Sequence, residues 1–141
     1  MSIAHVNSGD WKILGPAASE IRRQVFIDEQ SVPQEEEWDG LDPECLHFLA
    51  MLDGQPAGTA RLLPDAHIGR VAVLANARGT GIGVLLMKAA IEAARHAGHP
   101  QVALSAQVHA LAFYERLGFV AHGDEYMDAG IPHRDMTLSL T

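Results

Sequence analysis

The sequence contains very little cysteine, no long apolar run and few basic residues. Its single cysteine, Cys45, cannot form an internal disulfide; this fits a reducing cytosol, and we expect Cys45 to be a small buried apolar residue. No run of about 18 apolar residues occurs, which predicts that no segment spans a membrane. Residues 1–5 lack the basic and apolar regions of a signal peptide, so a cytoplasmic location is the expectation.

The net charge and the spacing of possible metal ligands exclude further classes of protein. Ten Lys and Arg residues stand against 18 Asp and Glu residues, and the formal net charge of -8 argues against nucleic acid as a partner. The eight histidines are scattered, and neither a His-Glu-x-x-His pattern nor a cysteine pair is present. The sequence therefore predicts no metal site.

The chain of 141 residues predicts one domain over 1–141, because this length supports a single core and no repeat or linker interrupts it. Residue patterns predict helices over 17–28, 82–97 and 110–117, and strands over 11–14, 47–52, 55–62, 68–74, 101–105, from 119 onward and over 135–140. Asp53-Gly54 predicts a two-residue hairpin turn, and the acidic segment 31–44 is expected to be irregular. The fold class is α/β (α+β in stricter naming), with a mixed central sheet flanked by helices.

A glycine-rich turn, Arg78-Gly79-Thr80-Gly81-Ile82-Gly83, lies between a β-branched strand pattern and the helix over 82–97. A turn of this kind leaves backbone N–H groups unpaired beside the positive end of the helix dipole, which favours phosphate. The helix itself is expected to bury one face, formed by Ile82, Leu85, Leu86, Ala89, Ala90 and Ala93.

Two common phosphate-binding motifs do not fit this turn. A Walker loop requires Lys and Ser or Thr after its last glycine, but Val84-Leu85 follows here. A dinucleotide fingerprint that starts at Gly79 requires a third glycine at position 84, where Val84 stands. The spacing that fits is Arg-x-x-Gly-x-Gly. A glycine turn without any ligand is the plain alternative.

A second motif makes the resemblance specific. The segment 110–119, Ala-Leu-Ala-Phe-Tyr-Glu-Arg-Leu-Gly-Phe, follows the glycine turn after one helix and one strand. Together the two segments resemble the cofactor motifs of the GCN5-related N-acetyltransferase (GNAT) family. The segments 25–30, 39–42 with His47, and 130–133 are similar to its ElaA-like and YjcF-like branch. The resemblance covers residues 20–140 and implies a mixed sheet with splayed central strands, acetyl-coenzyme A as cosubstrate and an amine acceptor.

The resemblance also implies which residues hold the cofactor. The backbone of the glycine turn would bind the pyrophosphate, and unpaired backbone groups of the strand before it would bind the pantetheine arm and supply an oxyanion donor. The side chains of Val71 and Val73 are expected to pack in the core. Gln107 stands where many relatives carry asparagine. The full set implied for the cofactor is Val71, Ala72, Val73, Arg78, Gly79, Thr80, Gly81, Ile82, Gly83, Gln107, Phe113 and Tyr114.

Tyr114 is the implied general acid, which would protonate the coenzyme A thiolate. Its helical spacing alone favours a core tyrosine, and the resemblance reverses that preference. The general base stays open between a carboxylate, a histidine and a water chain, with Glu29 and His133 as the residues chosen. The other candidates are the run Glu35-Glu36-Glu37, expected to be a solvated face, and Asp39, His47 and His109.

Two functions from different classes are open. The first is an acetyltransferase that acts by direct attack of an amine of a small molecule or peptide, bound near segment 29–42. The second is a non-catalytic acyl-coenzyme A sensor or regulatory subunit, which could keep the glycine turn but would not need Tyr114. The sequence names neither the acceptor nor the oligomeric state, so a homodimer stays open.

Overall fold

A computed structural model describes residues 3–141. Seven strands form two antiparallel sheets: β1 (Ala4–Gly9), β2 (Leu46–Leu52), β3 (Gln55–Leu62) and β4 (Ile68–Val73) pair in that order, and β5 (Gln101–Gln107), β7 (Ile131–Ser139) and β6 (Val120–Asp128) pair in that order. The helices are α1 (Trp11–Arg22), α2 (Gln34–Glu37), α3 (Ile82–His96) and α4 (Leu111–Arg116). A π-helical segment, Arg23–Glu29, continues α1.

The two sheets meet where β4 lies beside β5. The contact consists of one parallel bridge between His67 and Ala103 and a hydrogen bond of 3.2 Å from the Ala103 N–H to the Ala66 carbonyl. Beyond this point the two strands form no ladder within residues 3–141. The expected α/β fold with splayed central strands is therefore confirmed.

The prediction for the N-terminal region was wrong in one element. Residues 11–14 form the start of α1 rather than a strand, because the Asp10 carboxylate accepts a hydrogen bond of 3.0 Å from the Ile13 N–H and caps the helix. Gly15 and Pro16 both lie within this helix, and Gly15 stands where a Cβ would come within 3.0 Å of the Trp11 ring. The first strand is β1, which precedes this helix.

The hairpin between β2 and β3 follows the prediction. Asp53 and Gly54 both adopt positive φ, 51° and 81°, as a two-residue turn of this hand requires.

Gly58 in β3 is required by packing rather than by its backbone conformation. A Cβ at this position would lie 2.9 Å from the Leu86 side chain and 3.0 Å from the Ala72 carbonyl. The absence of a side chain there lets α3 approach the sheet closely.

Helices cover both faces of the first sheet. One cluster joins α3 to β2, β3 and β5 through Phe48, Leu86, Met87 and Val102, and a smaller cluster packs α1 on the opposite face. The buried face of α3 is rotated from the expectation: Leu85 is exposed, whereas Met87 and Ala94 are buried, because the second sheet also packs against this helix. Among residues 3–141 no helix is long and apolar enough to cross a membrane.

Candidate active site

The splayed strands leave a cleft of about 760 Å³ between β4 and β5. The π-helical segment and the β6–β7 turn form its side walls. Its lining includes all three residues chosen for catalysis, all four chosen from β4 and β5 for the cofactor, and Arg78: Glu29, Tyr114, His133, Val71, Ala72, Val73, Gln107 and Arg78. The structure thus brings together residues that are up to about 100 positions apart in the sequence.

The glycine turn lies after the C-terminal end of β4, beside the cleft. Gly79 and Gly81 have φ of 80° and 84°, the left-handed region that favours glycine. Gly81 is the residue that precedes α3, and no side chain caps the helix there. The N–H groups of the first helical turn therefore have no intrahelical acceptor. Such a helix start is suited to bind an anion.

Gly83 is required for a different reason than Gly81. It lies within α3, and a Cβ at this position would come within 3.2 Å of the Phe113 ring and 3.9 Å of the Val73 side chain. Gly81 instead faces open space, since a Cβ there would meet nothing within 4 Å. The absence of a side chain at Gly83 keeps Phe113 close to α3, whereas Gly81 sets the backbone conformation of the turn.

Arg78 connects the glycine turn to two other elements. Its Nε donates to the Val73 carbonyl at 3.1 Å, and its two terminal nitrogens donate to the two Glu29 carboxylate oxygens at 2.7 Å each. The hydrogen bond from Arg78 lowers the pKa of Glu29. A carboxylate with both oxygens engaged and a lowered pKa is a weak proton acceptor.

The cleft-facing edge of β4 is one of the two outer edges of the first sheet, and its backbone has no strand partner along the cleft. On the other side, Thr59 pairs with Ala72 and Arg61 pairs with Gly69, so two β4 residues, Arg70 and Val71, oppose Ala60 alone. This bulge interrupts the ladder with β3, and no ladder with β5 exists at this level. The side chains of Val71 and Val73 pack against the main core, as expected.

Tyr114 lies on α4 and reaches the cleft from the side of β5. Its ring makes edge-to-face contacts with Phe113 and Phe119, at centroid distances of 5.0 Å and 6.0 Å. The hydroxyl forms no hydrogen bond to any of residues 3–141. Burial raises the pKa of Tyr114 to about 12. The phenol is therefore protonated near neutral pH and keeps its O–H for a ligand in the cleft.

Gln107 and His133 are direct neighbours across the β5–β7 ladder. The Gln107 amide donates to the Gln30 side chain at 2.9 Å, which joins the second sheet to the end of the π-helical segment. His133 Nδ1 lies 2.7 Å from the Ile131 carbonyl. Because a carbonyl only accepts, Nδ1 carries the proton, and the Nε2 lone pair of the neutral ring stays available.

The orientation of His133 is fixed from a second side. The Tyr126 ring stacks on its imidazole with a centroid distance of 6.1 Å and an interplanar angle of 23°. Tyr126 in turn donates to the Asp135 carboxylate at 2.7 Å and contacts the Ser105 hydroxyl. These strand neighbours of His133 did not figure among the predicted site residues.

The other base candidates have different surroundings. His47 is buried away from the cleft beside Trp11, where its Nε2 lies 2.9 Å from the Asp42 carbonyl and burial lowers its pKa. Glu35 and Glu36 are exposed as expected, but Glu37 is 3% exposed, so the expectation of a solvated face was wrong for this residue. His109 is exposed at the rim of the cleft. Cys45 is buried, as expected, and burial raises its pKa.

Glu37 belongs to a buried ionic network that the sequence did not reveal. Arg22 bonds to the carboxylates of Glu37 and Asp42, and Arg61 bonds to those of Asp39 and Asp42. Arg22 also lies over the Trp11 ring at 5.4 Å. The network fixes segment 37–42 against β3 and so forms one wall of the cleft. One signal was available: Arg22 interrupts the apolar face that Ala18, Ile21 and Val25 otherwise form.

The chain belongs to the acetyltransferase (GNAT) domain family, whose sequence profile matches residues 14–140. It is 38% identical over 120 residues to the uncharacterized N-acetyltransferase YjcF of Bacillus subtilis (strain 168), covering 82% of this chain and 86% of that protein. An acyl-CoA N-acyltransferase from Pseudomonas aeruginosa has a crystal structure with a TM-score of 0.86 at 35% identity, covering 97% of this chain and 100% of that one. Escherichia coli ElaA has a TM-score of 0.85 at 28% identity with the same coverage. The resemblance to the YjcF-like and ElaA-like branch is confirmed.

Proposed function

We propose that this protein transfers the acetyl group of acetyl-coenzyme A directly to an amine of a small molecule or peptide. The observation that carries this proposal is the cleft between β4 and β5. It has the glycine turn with its uncapped helix start beside one end, unpaired strand backbone along its length and the Tyr114 hydroxyl within it. A phosphate-bearing, extended thioester is the substrate that matches all three features.

The donor is held mainly by backbone groups in this proposal. N–H groups of residues 79–84 bind the pyrophosphate, with Arg78 beside them. The free edge of Val71 to Val73 pairs with the amide groups of the pantetheine arm as a strand would. The bulge at Arg70 and Val71 leaves a backbone N–H of this strand able to point at the thioester carbonyl oxygen, where it stabilises the negative charge that develops during attack.

The transfer requires two proton movements. The amine nitrogen bonds to the acetyl carbon, the carbon–sulfur bond breaks, and its electron pair leaves with the sulfur. The sulfur then takes the Tyr114 proton, and the nitrogen loses one proton to a base. An ordinary thiol has a pKa of about 8.5, below that of Tyr114, so full proton transfer is unfavourable unless the low polarity of the cleft also raises the thiol pKa. Even without full transfer, the phenol stabilises the departing thiolate as a hydrogen-bond donor.

His133 is the base that the geometry favours over Glu29. Its Nδ1–H is engaged with the Ile131 carbonyl, which leaves Nε2 as the acceptor, and Tyr126 holds the ring in place. Glu29 has both carboxylate oxygens bonded to Arg78. We assign to Glu29 the role of positioning Arg78 at the turn, and to His133 the role of accepting the amine proton.

A thiol-release assay with acetyl-coenzyme A and a panel of amines tests the proposal. The panel contains polyamines, amino acids, aminoglycosides and peptides with free N-termini. Thiol release that depends on one class of amine supports the enzyme. Tight binding of acetyl-coenzyme A without release by any amine would contradict it and favour the sensor.

Two variants locate the chemistry in the same assay. We expect Tyr114→Phe and His133→Gln each to lower kcat by about 100-fold, while the Kd of acetyl-coenzyme A changes little. The Tyr114 hydroxyl has no partner among residues 3–141, so its removal should leave the melting temperature unchanged. An unchanged kcat in the Tyr114 variant would return this residue to a packing role.

A further inference from the structure

Arg70 stands at the β4 bulge with a backbone conformation that is unusual for its residue type. Its φ is 49°, in the left-handed region, which costs an L-residue with a side chain about 1–2 kcal/mol. Strain of this kind persists only where the surrounding structure enforces it, and it is concentrated at functional sites. The bulge directs the Arg70 side chain toward segment 36–39 at the wall of the cleft.

The Arg70 guanidinium is only partly used by the protein. Its Nε and Nη2 donate to the Glu37 carbonyl at 3.3 Å and 3.0 Å, and Nη2 also lies 3.3 Å from the Glu36 carbonyl and from Asp39. Nη1 has no acceptor among residues 3–141, although Arg70 lines the cleft. Two N–H donors of a fixed cation are therefore available to a ligand.

Arg61 supplies a second unused donor behind Arg70. Arg61 is 4% exposed, and its terminal nitrogens bond to Asp39 and Asp42. Its Nε, however, is buried without any partner in the described part of the chain. Arg61 and Gly69 both line the cleft, and a Cβ at Gly69 would lie 4.0 Å from this nitrogen, so the Arg61 Nε lies next to the cleft although it is itself buried. A buried, unpaired N–H costs about 1–3 kcal/mol, which a ligand oxygen would recover.

The free donors of Arg70 and Arg61 favour an anion as that ligand, because both are N–H groups of cations and neither has an acceptor among residues 3–141. Burial, and after it the positive charge of Arg61, lowers the pKa of Arg70 despite the carboxylates of Asp39 and Glu37. An anion beside Nη1 would offset this cost of burying the cation. The rim of the same cleft carries the carboxylates of Asp65 and Asp128, which favour a positively charged group.

We propose that Arg70, with Arg61 Nε behind it, binds a carboxylate of the acyl acceptor, so that the acceptor is an amino acid carrying both the attacking amine and that carboxylate. This inference rests on the proposed N-acetyltransferase function and adds the substrate class. Arg70 is a binding and specificity residue in this assignment, because it contacts the acceptor and takes no part in the proton movements.

Matched substrates test whether Arg70 binds the carboxylate of the acceptor, a contact that we call the anchor. Free amino acids and their carboxamides share the position of the amine and the side chain and differ in the negative charge. Because loss of that charge also lowers the pKa of the amine, kcat/KM is expressed per neutral amine. We expect kcat/KM for the acid to exceed that for the amide by about 10- to 100-fold in the wild-type protein, as one charge-assisted pair allows. Arg70→Gln should bring this ratio close to one, and Arg70→Lys should restore part of it. Arg95→Gln, which alters an exposed arginine on α3 outside the cleft, should keep the wild-type ratio.

The outcomes separate this inference from the proposed function. A wild-type ratio near one, or equal losses for acid and amide in Arg70→Gln, would overturn the anchor even if acetyl transfer is efficient. Ligand-observed NMR with N-acetyl amino acids and their amides, in the presence of coenzyme A, compares the binding of the acids with that of the amides without turnover. Binding of the acids that Arg70→Gln abolishes would support the anchor even if no amine were acetylated. No such preference in the NMR experiment would overturn it.

Discussion

Valine substitutions at the two ends of α3 can separate the role of the glycine turn from the general stability of the helix. Gly81 precedes the helix and Gly98 follows it, with φ of 84° and 86°. A Cβ at either position would meet nothing within 4 Å. The two sites therefore impose the same backbone strain with no clash, and only Gly81 adjoins the cleft.

The expected magnitudes follow from this match. Left-handed backbone costs an L-residue about 1–2 kcal/mol, so each variant should lower the melting temperature by roughly 3–10 °C for a domain of this size. At Gly81, relief of that strain would also turn the N–H groups of residues 79–84 away from the pyrophosphate. Loss of two charge-assisted hydrogen bonds, at about 1.5–3 kcal/mol each, predicts that Gly81→Val weakens acetyl-coenzyme A binding by two orders of magnitude or more.

Calorimetric titration with acetyl-coenzyme A, combined with thermal unfolding, is the assay. We expect similar losses of stability in both variants and a large increase in Kd only for Gly81→Val. A normal Kd in this variant would refute the assignment of the turn. Equal increases in Kd for Gly81→Val and Gly98→Val would show that helix stability, rather than the turn, controls binding.

Two further predictions concern the buried ionic network. Arg22→Met should reduce the free energy of unfolding by about 3–5 kcal/mol, because it leaves the Glu37 carboxylate buried without its hydrogen-bonded cation and leaves Asp42 with Arg61 alone. Urea unfolding measures this, and a loss below about 1 kcal/mol would contradict it. The hydrogen bond from Arg61 holds the pKa of Asp39 in the folded protein below its usual value of about 3.9. The ionised Asp39 therefore stabilises the fold above about pH 4, and this contribution is lost as the pH falls through the lower pKa of the folded state. Asp39→Asn should therefore lose less stability than the wild-type protein on acidification below about pH 4; parallel acid-unfolding curves would contradict this.

Local patterns gave correct predictions where short-range physics decides the structure. The turn at Asp53-Gly54, the boundaries of β3 and the start of α3 at Ile82 all depend on residues within a few positions of one another. The error at residues 11–14 has the same origin. A short run of apolar residues fits either a strand or a helix, and the Asp10 side chain, by capping Ile13, selected the helix.

Such local patterns could not predict which charged residues are buried. Glu37 lies in a run of three glutamates that reads as a solvated face, yet it is buried because Arg22, 15 positions earlier, supplies its cation. Arg61 and Arg70 likewise find their carboxylates in segment 37–42 through the packing of that segment against β3 and β4. Side chains that contact across such separations have no spacing rule in the sequence.

The sequence alone determined the fold class and the glycine turn at the start of α3, because strand and helix patterns and left-handed glycines are local requirements that a short segment must satisfy by itself. Only the tertiary structure decided what surrounds that turn. The separation of β4 from β5, the pairing of His133 with Gln107 and the unused donors of Arg70 and Arg61 come from contacts between distant segments. Such contacts depend on how whole elements pack.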